Sequence, residues 1–164
     1  MLKFLLLGTI AIAVSSCSQF NNVTPPVTDL SSGLNTRSAE RQPNLSHDGS
    51  YLVFSSDRSS SRNVFLYDIR QKRLLSLPGL NQPRSMQYDP AISADGKYIV
   101  YVSEQFGAPD IMLYDRANKK VLNLTQDFIG EVRNPTISGN GRFVAFETNR
   151  SGQWDIQILD RGTL

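Results

Sequence analysis

At 164 residues the chain is the size of one domain, or of one domain with an appendage. Its 17 Lys and Arg against 15 Asp and Glu give a formal charge of +2, too weak a field to point to nucleic acid or to an acidic partner. The single cysteine, Cys17, excludes an intrachain disulfide and a cysteine-built zinc site.

The N-terminal stretch MLKFLLLGTIAIAVSSC carries one lysine, then an apolar run from Phe4 to Val14 that ends in small residues. That run is too short to span a bilayer and suits the core of a signal peptide. Val14-Ser15-Ser16-Cys17 resembles the lipobox of bacterial lipoprotein precursors. The resemblance implies removal of residues 1–16, diacylglycerol on the Cys17 sulfur and an acylated new N-terminus. Several acyl chains together hold firmly, where one would hold only marginally. Ser18 follows the cysteine where an inner-membrane lipoprotein has Asp, so the resemblance implies an outer-membrane anchor facing the periplasm.

Residues 17–41 then read as a tether rich in Ser, Asn, Thr and Pro, with too little apolar surface to offset ordering. Within it, Val27–Leu34 has the makings of one short strand.

From Gln42 onward the chain repeats itself. A shift of 47 residues carries Pro43, Ser46, Asp48, Gly49, Tyr51, Tyr67 and Asp68 onto Pro90, Ser93, Asp95, Gly96, Tyr98, Tyr114 and Asp115. A shift of 45 carries Pro90, Ser93, Gly96, Asp110, Ile111 and Asp115 onto Pro135, Ser138, Gly141, Asp155, Ile156 and Asp160. The repeats span residues 42–88, 89–133 and 134–164. A strand-built period of this length is the mark of propeller blades or another stacked β array.

Each repeat opens with a Pro and a short strand (Asn44–Ser46, Ala91–Ser93, Thr136–Ser138). A tight turn follows at Asp48-Gly49, Asp95-Gly96 or Asn140-Gly141, residue pairs that accept positive φ cheaply. The second strands, Tyr51–Ser56, Tyr98–Ser103 and Phe143–Thr148, begin YLVF, YIVY and FVAF. Apolar residues without alternation predict strands buried on both faces. A polar loop leads to the third strands (Asn63–Ile69, Asp110–Arg116, Asp155–Arg161). Fourth strands at Arg73–Leu77 and Lys120–Thr125 complete two repeats; the third stops before its own.

The pattern P-x-x-S-x-D-G, four apolar residues, a polar loop and D-I-x-L-Y-D resembles TolB-like propeller repeats, which also occur in prolyl-oligopeptidase-type enzymes. The resemblance covers about Gln42 to Asp160. It implies an all-β fold of three four-stranded antiparallel blades, a partial TolB-like β-propeller whose third blade lacks its own last strand. Such blades normally stand six or more to a ring and act as a docking platform. Three leave two blade faces and the third strand of the last repeat uncovered. A second copy completing a six-bladed ring, with Val27–Leu34 as the missing outer strand, is one resolution. A different protein in that place is another, and a shortened, marginally stable product a third.

The residues give little chemistry. His47 is a turn residue, and sequence neighbours Ser46, His47 and Asp48 cannot converge on one reacting atom. The repeated acids Asp57, Asp68, Glu104, Asp110, Asp115, Asp155 and Asp160 lack the spacing of a calcium loop and sit where turns need caps. Basic clusters at Arg70, Lys72, Arg73 and at Arg116, Lys119, Lys120 read as solvated hairpin tips. Phe106 and Trp154, in the loops after the second strands, are candidates either for binding or for packing on the next blade. The expectation is a non-catalytic envelope lipoprotein, without cofactor or metal, that binds other envelope proteins. An accessory propeller to an envelope peptidase or glycan hydrolase is the alternative, as is a ligand-binding propeller.

Overall fold

The computed structural model describes residues 33–162, in which the chain forms eleven strands and no helix. In chain order these are β1 Glu40–Leu45, β2 Tyr51–Ser56, β3 Asn63–Asp68, β4 Arg73–Leu75, β5 Gln87–Ile92, β6 Tyr98–Ser103, β7 Asp110–Asp115, β8 Lys120–Asn123, β9 Val132–Ile137, β10 Phe143–Thr148 and β11 Asp155–Asp160. They make three antiparallel sheets, ordered β1-β2-β3-β4, β5-β6-β7-β8 and β9-β10-β11. The lipobox, Cys17 and most of Val27–Leu34 lie outside the described residues; Gly33 and Leu34 form a bend.

Three copies of one hydrogen-bonded turn set the register. In the middle copy the Ser93 hydroxyl donates to Asp95 at 2.7 Å and accepts from the Tyr98 N–H at 3.0 Å. The Asp95 carboxylate also accepts the Lys97 N–H at 2.9 Å, and the Gly96 N–H closes the turn on the Ser93 carbonyl. Ser46, Asp48 and Tyr51 repeat the arrangement, as do Ser138, Asn140 and Phe143. The serine side chain fastens the far end of the turn while the Asp or Asn holds its inside, so each second strand starts in fixed register. Beyond it, β6 pairs with β7 without a break from Tyr98↔Asp115 to Ser103↔Asp110.

The first strands begin upstream of the expected Pro. β5 starts at Gln87 and crosses Pro90, and its register against β6 shifts between Tyr88 and Ala91. β1 and β9 shift at Pro43 and Pro135 in the same way. The physical reason is a bulge. Proline has no N–H to give the ladder, and the residue before it (Gln42, Asp89 or Asn134) turns to φ near +50°, after which pairing resumes.

The sheets stack as blades, with first strands nearest one another. One core, between blades one and two, is built from Val53, Val64 and Leu66 against Ile99, Tyr101, Met112 and Tyr114. The second joins Val100, Ile111 and Leu113 to Val144 and Phe146. The middle blade packs between the other two, and every residue of β6 is buried. The expectation of burial on both faces holds there and fails for β10, where Phe143 is exposed and Val144 and Phe146 are buried.

Candidate functional site

Strand direction divides the molecule into two ends. The Ser-x-Asp/Asn-Gly turns and the short third-to-fourth-strand turns lie at one, here the turn end. The loops after the second strands, and the connections between blades, lie at the other, the loop end.

At the turn end the candidate residues are structural. Gly49, Gly96 and Gly141 have φ of 67°, 70° and 75°, and Asp48, Asp95 and Asn140 spend their oxygens inside their own turns. Hydrogen bonds from Ser50 and Ser46 bring the Asp48 carboxyl down to about 2. Burial works against ionisation of Asp95, but the Lys97 N–H and Ser93 hydroxyl outweigh it and lower its pKa. His47 lies in the first turn, beside a depression of about 260 Å³ shared with Asn44, Ala94 and Thr136. Ser46 donates to Asp48, so Ser46, His47 and Asp48 form no relay.

Three of the seven repeated acids cap turns through backbone N–H groups, while Asp57, Glu104 and Asp155 take side-chain partners instead, Arg62, Tyr88 and Ser151 with Gln153. Asp68 accepts the Gln71 N–H, Asp115 those of Ala117 and Asn118, and Asp160 that of Gly162. Asp110 accepts from the Thr125 hydroxyl, whose oxygen takes the buried Ile111 N–H. Among the described residues no three His, Cys, Asp or Glu come together as metal ligands.

The loop end is polar toward the axis. The left-handed residues before the three prolines meet there. Gln42 donates its amide to Asp89, whose own N–H returns to Gln42 at 3.2 Å. Asn134 donates to Glu147 at 2.9 Å, and Arg133 to the other Glu147 oxygen at 2.7 Å. Burial raises the Asp89 pKa, with Glu147 adding to it and the Asn134 N–H and Arg62 opposing. Burial and a hydrogen bond to Glu104 push the Tyr88 hydroxyl up to about 12. Arg62 pairs with Asp57 at 2.8 Å and holds that carboxyl below its ordinary range.

The two aromatic candidates sit in different surroundings. Phe106, 66 % exposed, borders an open cleft of about 410 Å³ with Gln82, Pro83, Arg84, Ser85, Glu104 and Gln105. Exposed Met86 follows directly in the chain. Trp154 lies on blade three, where the Arg133 guanidinium covers its ring at 3.6 Å. The cleft does not include Trp154.

Sequence reasoning passed over the axial trio Gln42, Asp89 and Asn134, although each stands before a repeated proline. It also passed over Arg58. That guanidinium lies over Phe54 and Phe65 at 5.3 and 4.8 Å, pairs with Glu40 and donates to the Gly33 and Leu34 carbonyls. The repeat signals it only weakly: blade two has Gln105 at the equivalent position, while blade three has Arg150, which lies over Phe128 at 5.3 Å.

No family model and no curated protein matches the sequence. Solved structures do. TolB from Acinetobacter baumannii superposes with a TM-score of 0.58 at 24 % identity over 73 % of this chain and 29 % of its own. A TolB described as putative, from Agrobacterium tumefaciens, gives 0.63 at 23 % over 78 % and 44 %. A puromycin-hydrolyzing peptidase from Mycobacterium tuberculosis gives 0.58 at 13 % over 79 % and 20 %. The chain spans less than half the length of each. At these identities the likeness establishes the fold, a partial TolB-like propeller, and nothing of activity.

Proposed function

We propose that this protein is a non-catalytic envelope lipoprotein, anchored through Cys17 to the outer membrane on its periplasmic side, whose blades dock other envelope proteins. The observation that carries the docking reading is the loop-end cleft at Phe106. A flat aromatic ring, largely exposed, stands beside Pro83 and Arg84 with Ser85, Glu104 and Gln105 around it. An apolar anchor within a polar rim is how protein interfaces are built, with aromatics and Arg supplying most of the affinity. The cleft is open, which suits a protruding segment of a partner more than an enclosed small molecule.

The anchor reading rests on the residues 14–17 pattern. Labelling cells with a palmitate analogue tests it: the chain takes up label and fractionates with outer membrane, and Cys17→Ala abolishes both. A soluble, unlabelled chain refutes it. For docking, Phe106→Ser is expected to lose the envelope proteins that wild type retains on affinity purification, while keeping its thermal unfolding midpoint. Recovery of a peptidase or glycan hydrolase as the Phe106-dependent partner would favour the accessory reading instead.

A further inference from the structure

The formal charge of +2 conceals a division that only the fold brings out. Sorted by strand direction, the turn end carries nine Lys and Arg against five Asp among the described residues. The loop end and the segment leading into β1 carry seven Lys and Arg against nine Asp and Glu. The described chain is therefore a dipole along the strands, positive at its turns.

The turn chemistry sharpens the difference. Asp68 and Asp115 sit at the base of the third-to-fourth-strand turns, where they accept the N–H groups of Gln71 and of Ala117 and Asn118. Asp48 and Asp95 are folded into the turns before the second strands in the same way. The cations stand farther out. Arg70, Lys72, Lys119 and Lys120 are exposed at the tips, and their side chains have no partner among the described residues. Lys72 and Lys119 occupy the left-handed position of their turns, with φ of 52° and 54°.

These four do not converge on a pocket. The depression of about 260 Å³ at this end is lined by Asn44, His47, Thr136 and their neighbours, and by none of the four. They belong to adjacent blades of identical register, Tyr51 opposite Asp68 in one and Tyr98 opposite Asp115 in the other, so their tips stand at one level. Unpaired cations spread at one level fit an extended anionic surface; a compact anion needs donors that converge.

We propose that the turn end lies against anionic phospholipid headgroups of the membrane that carries the chain, with Arg70, Lys72, Lys119 and Lys120 as its contacts. The proposal rests on the Cys17 anchor reading for what brings the chain to a membrane. A lipid anchor and a basic patch are two signals that hold together where one is marginal. The anchor is long enough. β1 starts at the loop end, and residues 17–33 reach at most about 55 Å when extended, against roughly 20 Å for a six-residue strand. The tether can thus pass the blade and leave the turns on the bilayer. In that orientation the net-negative loop end, with the Phe106 cleft, points away from the headgroups and toward a partner.

The full-length, lipid-bearing chain in vesicles tests the proposal. A thiol-reactive bimane label is placed at one of two exposed alanines, Ala117→Cys in the blade-two turn or Ala108→Cys in the loop after β6. An acylated Cys17 takes no label. Every vesicle contains phosphatidylcholine spin-labelled on its headgroup as quencher, with or without phosphatidylglycerol. At low salt, phosphatidylglycerol brings on quenching at position 117 and none at 108. Salt near 1 M, where the screening length is about 3 Å, removes it. Replacing the four cations, by Arg70→Gln and Lys120→Gln with Lys72→Asn and Lys119→Asn to suit the left-handed turns, lowers the membrane-facing population roughly fivefold per cation and abolishes the effect. An unchanged thermal midpoint shows that this variant is folded. Equal quenching at 117 with and without phosphatidylglycerol, quenching at 108 that matches 117, or a fourfold variant that keeps the effect, overturns the proposal. So does binding to polyglutamate with no quenching in either vesicle, which would make the turn end a surface for an acidic protein. A chain that floats only with phosphatidylglycerol vesicles and leaves them at high salt sinks the anchor reading and keeps this one; a chain that floats with neither overturns both. The docking reading is judged separately, at Phe106.

Discussion

Substituting alanine at the three turn glycines separates what the turn requires from what blade stacking requires. All three positions have φ near +70°, where a Cβ costs about 1 kcal/mol. At Gly49 nothing else is near, so Gly49→Ala should cost about that much. At Gly96 the new Cβ lies 2.6 Å from Cδ2 and 2.9 Å from Cε2 of Tyr51, and 3.0 Å from a guanidinium nitrogen of Arg116. At Gly141 it lies 2.4 Å from Cδ2 of Tyr98. Overlap with these packed side chains adds the usual overpacking cost of about 1–3 kcal/mol, for a total of roughly 2–4 kcal/mol. Urea unfolding of each variant against wild type measures the loss. The expected order is Gly49→Ala mildest, with Gly96→Ala and Gly141→Ala two- to fourfold more costly at unchanged m-value. Equal losses at all three would refute the reasoning, since the turn alone would then account for them.

Two further outcomes follow from the turns. Ser93 is fully buried and its hydroxyl makes two hydrogen bonds, so Ser93→Ala should cost about 1–3 kcal/mol, and more than Ser138→Ala at the half-buried third turn; paired urea melts decide it. Asp48 ionises at about 2 in the folded chain against an ordinary 3.8, so its contribution is complete above pH 4 and disappears as pH falls toward 2. Asp48→Asn, which copies Asn140, should therefore be less stable than wild type at pH 6 and equal to it near pH 2, as followed by thermal unfolding across that range. A difference that persists at pH 2 would mean the carboxylate charge is not what matters.

Much of the fold was legible because it is local and repeated. Ser-x-Asp-Gly followed by YIVY names a turn and a strand buried on both faces, and the middle blade has both. The first strands began too late because a proline reads as a strand boundary, whereas here it marks a bulge inside the strand, and Gln87 ahead of it is buried. The seam between blades was not legible. Arg116 and Arg161 looked like strand ends beside hairpin tips, and only stacking places them over Tyr51 and Tyr98 of the preceding repeat. The same holds for the capping of Phe54 and Phe65 by Arg58, which depends on which blade face lies at the end of the row. Phe106 and Trp154 stood out by residue type, but their different fates followed from the third dimension: one borders a cleft, the other lies under an arginine.

The docking reading is tested most directly by placing a photo-crosslinking phenylalanine analogue at position 106 in living cells and irradiating them. The account predicts discrete crosslinks to envelope proteins at position 106, in the envelope fraction, and none from the same analogue at position 122 on the outer edge of blade two. No crosslink at 106, or the same products from both positions, would contradict it.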